Sequence, residues 1–182
     1  RCAGLDQVTL REGNAEALPA DDREFDAAVI TQVYEYVPNV IVALRELYRL
    51  LRPGGRAVIL DTDWDSLVWN AKDSVRAKRI LKAWDAHLSD PHLPRTLSAR
   101  LLEGGFEIVR RDVYSILNPD YKPGCYSLGM IGIIAPFVIR FCNLPKEEVK
   151  AWAAELEDLG RADEYFFSLN RYLFVCKKSD EE

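Results

Sequence analysis

Hydrophobic and polar positions change period twice between residues 25 and 65, and this change predicts a strand, a helix and a second strand. Residues 27–30 and 57–60 are apolar runs without polar alternation, which is typical of parallel strands buried on both faces. Asn39 is a suitable N-cap for the helix between them. A strand, helix and strand of these lengths form a right-handed parallel crossover. The predicted apolar stripe of the helix consists of Val40, Leu44, Leu47 and Leu51.

The rest of the pattern predicts three more strands and a long helical segment. Residues 8–12 alternate as an early strand, and residues 106–117 and 165–177 are predicted as later strands. Residues 118–164 contain one helix that is apolar almost all round and a second, amphipathic helix. A hairpin usually needs about two to five residues, so we interpret this segment as an insertion. Within one structural domain we therefore predict a partial core (1–117), a helical insertion or lid (118–164), and a final strand and tail (165–182).

Polar side chains follow both strands of the predicted crossover. Thr31 and Gln32 end the first strand, and Asp61 and Asp63 end the second. In open parallel sheets, ligands bind outside the carboxyl ends of the strands. The sequence therefore predicts a ligand site at this edge of the sheet.

Four sequence motifs, in this order, carry a family resemblance: GNAEALP (13–19), FDAAVITQVYEYVP (25–38), LYRLLRPGGRAVILDTDWD (47–65) and LLEGGF (101–106). Together they resemble the second half of a class I S-adenosylmethionine-dependent methyltransferase, close to the quinone/sterol-type small-molecule branch. The resemblance implies an α/β, Rossmann-like fold with a seven-stranded sheet in the order 3-2-1-4-5-7-6. The chain would supply only the later strands, 3 to 7, with a helical insertion before the last strand.

The resemblance implies S-adenosyl-L-methionine as the cofactor. In the family, an Asp or Asn at the position of Asn14 binds the adenine amino group, and the next backbone amide, that of Ala15, serves the ring nitrogen. The segment Thr31, Gln32 and Val33 passes beneath the methionine part of the cofactor. A purely structural role for Asn14 stays open, because asparagine is common in turns.

The resemblance also implies methyl transfer to a small, hydrophobic acceptor. An oxygen or nitrogen nucleophile needs a base, and the catalytic candidates are Asp61, Asp63 and His92. The rival hypothesis is a catalytically inactive methyltransferase-like domain that acts as an assembly or interaction subunit. The candidate acceptor-binding residues are Tyr36, Trp64, Arg95 and Phe137.

Simpler interpretations of these candidates remain open. Trp64 can pack in the core, and His92 can be an ordinary loop histidine. Glu35 is either a solvated residue or a functional one, and a tyrosine such as Tyr36, with a reference pKa of about 10, donates hydrogen bonds rather than removing protons. The insertion that carries Phe137 can be a lid over a hydrophobic substrate, core packing against the sheet, or a dimer surface.

Composition narrows the function class. The chain has 182 residues, of which 48% are hydrophobic, and a net charge of -5, which suits one soluble domain with a core. Mild acidity argues against nucleic acid as a partner. Four scattered cysteines without a CxxC pair predict reduced thiols and a cytoplasmic location. The sequence contains no cluster of histidine and cysteine ligands, so we do not predict a metal site. No stretch approaches the ~20 apolar residues of a membrane span.

Two family features are missing from the sequence. It contains no GxGxG-like segment and lacks the acidic residue that family members use to hold the ribose hydroxyls. Without strands 1 and 2, residues 27–30 become an apolar sheet edge, which is a template for aggregation. We therefore expect that an N-terminal segment of a longer chain, or a partner chain as in a homodimer, completes the sheet.

Overall fold

The structure, a computed structural model, describes residues 7–180, and these form five strands, five α-helices and three short 3-10 helices. The strands are β1 (Phe25–Thr31), β2 (Leu51–Thr62), β3 (Val68–Trp69), β4 (Glu107–Asn118) and β5 (Phe167–Lys177). The α-helices are α1 (Val40–Leu50), α2 (Ser74–Trp84), α3 (Pro94–Glu103), α4 (Tyr126–Phe141) and α5 (Lys146–Arg161). The 3-10 helices are Tyr34–Tyr36, Trp64–Ser66 and Asp85–His87.

The sheet is mixed, and β5 lies at its centre. β1 and β2 are parallel and are joined through α1, which confirms the predicted crossover. β5 runs antiparallel between β2 and β4, and its first two residues also pair with β3. The order β1-β2-β5-β4 corresponds to 4-5-7-6 of the family sheet. The predicted α/β, Rossmann-like fold is therefore confirmed for this part of the sheet.

The strand predicted at residues 8–12 does not form. Its alternation was compatible with a half-buried strand, but a strand also needs a neighbour with which to pair. Within residues 7–180, β1 pairs only with β2 and provides no ladder for this segment. The prediction of an early strand is therefore wrong for the structure described.

β1 is not buried on both faces, as its apolar sequence had suggested. Val29 is 76% exposed, and Phe25 is exposed as well. By contrast, Ala57 and Ile59 of β2, which has strands on both sides, are fully buried. The difference follows from position, because β1 is an edge strand within residues 7–180.

Two hydrophobic clusters flank β5. Its residues Phe167 and Leu169 join a cluster with α2, α4 and α5, whereas Phe174 and Cys176 join a cluster with α1 and α3. Odd and even positions of a strand point to opposite faces, so the two clusters lie on opposite faces of the sheet. This arrangement leaves the carboxyl ends of β1 and β2 at the boundary between the clusters.

α4 is only partly buried, although its sequence is apolar almost all round. One face packs into the cluster with α2 and α5, and Phe137 on this side contacts Trp84. Ile133 and Phe141 are exposed. The helix therefore belongs to the core on one side and presents apolar residues on the other. None of the helices in residues 7–180 is both long enough and apolar enough to cross a membrane.

Candidate active site

Two buried carboxyl groups lie near each other at the carboxyl ends of β1 and β2. Asp61 is the penultimate residue of β2, and Glu35 belongs to the 3-10 helix that follows β1. Both are almost completely buried. The oxygens of Asp61 make no hydrogen bond within residues 7–180, although the backbone N–H groups of Val33 and Glu35 lie close enough to lower its pKa.

Burial dominates the titration of this pair. It raises the pKa of Asp61 to about 8, and the neighbouring Glu35 carboxylate acts in the same direction. Burial also raises the pKa of Glu35, against the opposing effect of the Trp64 indole N–H. Two negative charges in one desolvated site are unfavourable, so the pair retains a proton at neutral pH.

Glu35 is held by three neighbours. Its Oε2 accepts hydrogen bonds from Trp64 Nε1 at 3.2 Å and from the backbone N–H of Thr62 at 3.4 Å. Gln32 Nε2 donates to Thr62 Oγ1 at 2.7 Å and, more weakly, to Glu35 Oε1 at 3.4 Å. These bonds connect the ends of β1 and β2, and they identify Glu35 as a buried member of the site rather than a solvated residue.

Arg171 is a site residue that sequence reasoning missed. It lies on β5 opposite Thr62, and its positive charge lowers the pKa of Glu35. Its guanidinium lies 5.0 Å from the ring centroid of Tyr126 and donates a hydrogen bond of 3.1 Å to the hydroxyl of that residue. In the sequence, the only sign of a role for Arg171 was its charge inside an apolar strand. The pairing of β5 with β2, which brings Arg171 opposite Thr62, cannot be deduced from the sequence.

The other two predicted catalytic residues, Asp63 and His92, lie in an ion-pair network. Arg95 donates to both oxygens of Asp63, from Nε at 2.7 Å and from a terminal nitrogen at 3.0 Å, and it also reaches Asp65 at 2.7 Å. His92 Nδ1 lies 3.0 Å from Asp63 Oδ1. The network joins the end of β2 to the start of α3. The sequence had suggested separate roles, catalytic for Asp63 and His92 and acceptor-binding for Arg95, but did not predict that these residues contact one another.

The network also contains a possible set of metal ligands. Donor atoms of Asp63, Asp65 and His92 lie within 4.8 Å of one another. The guanidinium of Arg95 already occupies the carboxylate oxygens and lowers the pKa of Asp65. A cation would have to displace this arginine, so we interpret the cluster as an ion-pair network.

Two of the five predicted cofactor residues line one cavity. Ala15 and Val33 both line a cavity of about 390 Å³ beside β1, within the size range of roughly 300–1,000 Å³ typical of ligand pockets. Asn14 Oδ1 accepts a hydrogen bond of 3.0 Å from the backbone N–H of Glu16, as in a turn, and one lone pair stays available. Thr31 is exposed at the end of β1.

The structure brings three of the predicted acceptor-binding residues together around a histidine. We name this group the His87 cage: it consists of His87 and the aromatic rings of Tyr36, Trp64, Trp84 and Phe137. Arg95, the fourth predicted residue, lies outside it in the ion-pair network. His87 was missed because a histidine near a helix end carries no distinctive sequence pattern.

Comparison with known proteins agrees with this geometry. Residues 1–59 match the methyltransferase domain family. The crystal structure of a candidate methyltransferase from Bacillus halodurans C-125 superposes with a TM-score of 0.61, over 95% of this chain and 78% of that chain, at 17% identity. The superposition shows that the chain has an α/β fold of the methyltransferase type. The matched region includes β1 and most of β2, whose carboxyl ends are the ligand-binding edge that the sequence predicts.

Two sequence relatives match shorter parts of this chain. The ubiquinone/menaquinone biosynthesis C-methyltransferase UbiE of Rhodopseudomonas palustris (strain TIE-1) is 48% identical over 56 residues, which are 31% of this chain and 22% of that protein. An uncharacterized 37.1 kDa protein in transposon TN4556 of Streptomyces fradiae is 32% identical over 113 residues, which are 59% of this chain and 32% of that protein. The chain thus matches between about a fifth and a third of these relatives.

Proposed function

We propose that the protein transfers a methyl group from S-adenosylmethionine to a small, hydrophobic, quinone-type acceptor. The observation that carries the proposal is the buried carboxyl pair, with Asp61 unpartnered, at the ligand-binding edge of a methyltransferase sheet. A buried group with a strongly shifted pKa in such a position is a candidate functional residue. The likeness to UbiE, whose name refers to ubiquinone and menaquinone biosynthesis, supports the acceptor class.

The cofactor would be held by the residues around the cavity beside β1. Asn14 and Ala15 would contact the adenine, and the segment Thr31, Gln32 and Val33 would support the methionine part. When bound, S-adenosylmethionine supplies a methyl group that its sulfonium makes electrophilic. The task of this chain is then to orient the acceptor and to exclude water, because orientation alone can lower a barrier substantially.

The carboxyl pair provides the acid–base group in this proposal. Asp61 holds a proton near neutral pH, and Glu35 lies beside it with its carboxylate fixed by Trp64. A pair in this state can exchange a proton with a hydroxyl group of the acceptor. Asp63, which also contacts His92, holds Arg95 at the same end of β2, where the guanidinium can bind an acceptor oxygen.

An inactive role in assembly receives less support. A structural subunit gains nothing from an unpartnered buried carboxyl group, because such a group destabilises the fold. The named relatives with an assigned activity are methyltransferases. Methyl transfer therefore accounts for both the buried carboxyl group and the similarity to methyltransferases.

The test is transfer of a radiolabelled methyl group from S-adenosylmethionine to a panel of hydroquinones and phenols. We expect a methylated product with the wild-type protein and a loss of about 100-fold in kcat/KM with Asp61→Asn, the usual scale of acid–base assistance. Asp21→Asn, on an exposed loop, is the matched control and should retain wild-type kinetics. Failure of every acceptor, or full activity of Asp61→Asn, would contradict the proposal.

A further inference from the structure

His87 is enclosed by aromatic rings and yet has a nitrogen without a partner. Its ring stacks on Trp84 with a centroid distance of 3.6 Å. Tyr36, Trp64 and Phe137 approach it edge-on, at centroid distances of 5.7, 5.6 and 5.6 Å. Nε2 is buried and makes no hydrogen bond within residues 7–180. An unpaired polar atom in such a setting is uncommon and requires an explanation.

The other ring nitrogen determines what Nε2 can do. His87 Nδ1 hydrogen-bonds to the backbone carbonyl oxygen of Trp84. A carbonyl oxygen can only accept, so Nδ1 must carry the proton. Burial lowers the pKa of His87, although the Trp84 carbonyl and Asp85 act in the opposite direction. The ring is therefore neutral at pH 7, and Nε2 presents a lone pair that can only accept a hydrogen bond.

The cage adjoins the carboxyl pair. Trp64 contributes its ring to the cage and donates its indole N–H to Glu35. The same tryptophan lines a cavity of about 380 Å³ whose other walls are Asp65, Leu67, Lys78, Leu81, Lys82 and Asp85. Trp64 thus contacts both the proposed acid–base group and His87.

One wall of the cage lies on a helix with a weakened turn. Phe137 follows Pro136, which lies inside α4 and has no N–H to donate to the carbonyl of Gly132. Phe137 is only partly buried, and Tyr36 on the other side is 46% exposed. These two rings are therefore more accessible than Trp64 and Trp84, which are buried.

We propose that His87 Nε2 accepts a hydrogen bond from a hydroxyl group of the aromatic acceptor, whose ring packs among the rings of the His87 cage. This inference rests on the proposed function, since it assigns a recognition residue to the acceptor of that reaction. Flat apolar walls suit a flat ring, and aromatic rings favour stacked or edge-on contacts. A single buried acceptor atom selects a ligand with a donor, so the site favours a phenol or hydroquinone and rejects the quinone, which has no O–H.

The test compares two probes that differ in one donor. 1-Naphthol has a hydroxyl proton, and 1-methoxynaphthalene has the same ring system without it. Binding is followed by quenching of tryptophan fluorescence and by the ¹⁵N chemical shift of His87 Nε2. We expect 1-naphthol to bind at least about tenfold more tightly and to shift the Nε2 signal, because a site built for a hydroxyl donor discriminates against a ligand that lacks it.

His87→Phe provides the variant arm, since it keeps a ring in the cage and removes the nitrogen. It should bind 1-methoxynaphthalene as the wild type does and lose the preference for 1-naphthol, with thermal melting as the check on folding. Equal binding of the two probes by the wild type, no binding of 1-naphthol, or a preference retained by His87→Phe would each overturn the inference. No S-adenosylmethionine is present, so the result is independent of whether methyl transfer is found.

Discussion

At Asp61, burial and a neighbouring negative charge act in the same direction on one carboxyl group. A lone buried carboxylate normally acquires hydrogen-bond donors or an ionic partner. Arg171, the nearby cation, instead interacts with Tyr126 and Glu35, and Asp61 makes no hydrogen bond within the described chain. The protein thus maintains an unfavourable group at the edge where we propose that the ligand binds, which is typical of sites where function opposes stability.

The Asp61 carboxyl group should make the stability of the fold depend on pH. The folded protein keeps the Asp61 proton up to a pKa of about 8, whereas an unfolded chain loses it near its ordinary value of 3.8. Between these values only the folded state holds the proton, so the stability that it provides falls as the pH rises through this window. Asp61→Asn removes the dependence and should be more stable than the wild type at pH 8, by a few kcal/mol, and similar near pH 4. Urea unfolding at both pH values measures the difference, and parallel pH profiles would contradict it.

At the scale of the element, α4 has one side that packs in the core and another that is exposed. Phe137 packs against Trp84 and His87, whereas Phe141, one turn later, is 63% exposed. Phe137→Asp would place a carboxylate among apolar rings and should destabilise the protein by several kcal/mol. Phe141→Asp is the matched control on the same helix and should cost less than about 1 kcal/mol. Thermal melting compares the variants, and similar losses at both positions would mean that α4 acts as a surface element.

Elements with local patterns were predictable, and pairings between distant elements were not. The strand, helix and strand between residues 25 and 65 follow from periods that each segment carries in its own sequence. Asp63, at the end of a strand, and His92, in a loop, were both predicted as catalytic candidates, but their contact depends on how the loop before α3 folds back over β2. Arg171 and His87 escaped notice because only the sheet register and the packing of α4 give them their neighbours.

At the scale of the whole molecule, the two clusters on opposite faces of the sheet fix the position of the site. α1 and α3 hold one face, and α2, α4 and α5 hold the other. The carboxyl pair of Glu35 and Asp61 lies where the two sets meet, and the His87 cage continues from it toward α4. A change in the packing of α4 would therefore reach the cage without altering the cavity beside β1.

The two edges of the sheet differ in how they are protected. β1 pairs only with β2 within residues 7–180, and its apolar Val29 is 76% exposed. On β4, the other edge, Val113 is 55% exposed but follows the charged run Arg110, Arg111 and Asp112. Charges on an edge strand discourage pairing with another chain, whereas an apolar edge promotes it. We therefore expect self-association of this chain to occur through β1.

Val29→Lys tests this expectation, because a lysine on the edge of β1 introduces a charge that must be desolvated when two copies pair. The variant should show clearly weaker self-association than the wild type in sedimentation velocity over a series of protein concentrations. Val113→Lys is the matched control: it has the same chemistry on a similarly exposed edge position, and it should associate as the wild type does. If both variants behave alike, association does not depend on the β1 edge. If Val29→Lys associates unchanged and stays folded, the exposed apolar face of α4 becomes the better explanation, and Ile133→Lys would then be the variant that separates the copies.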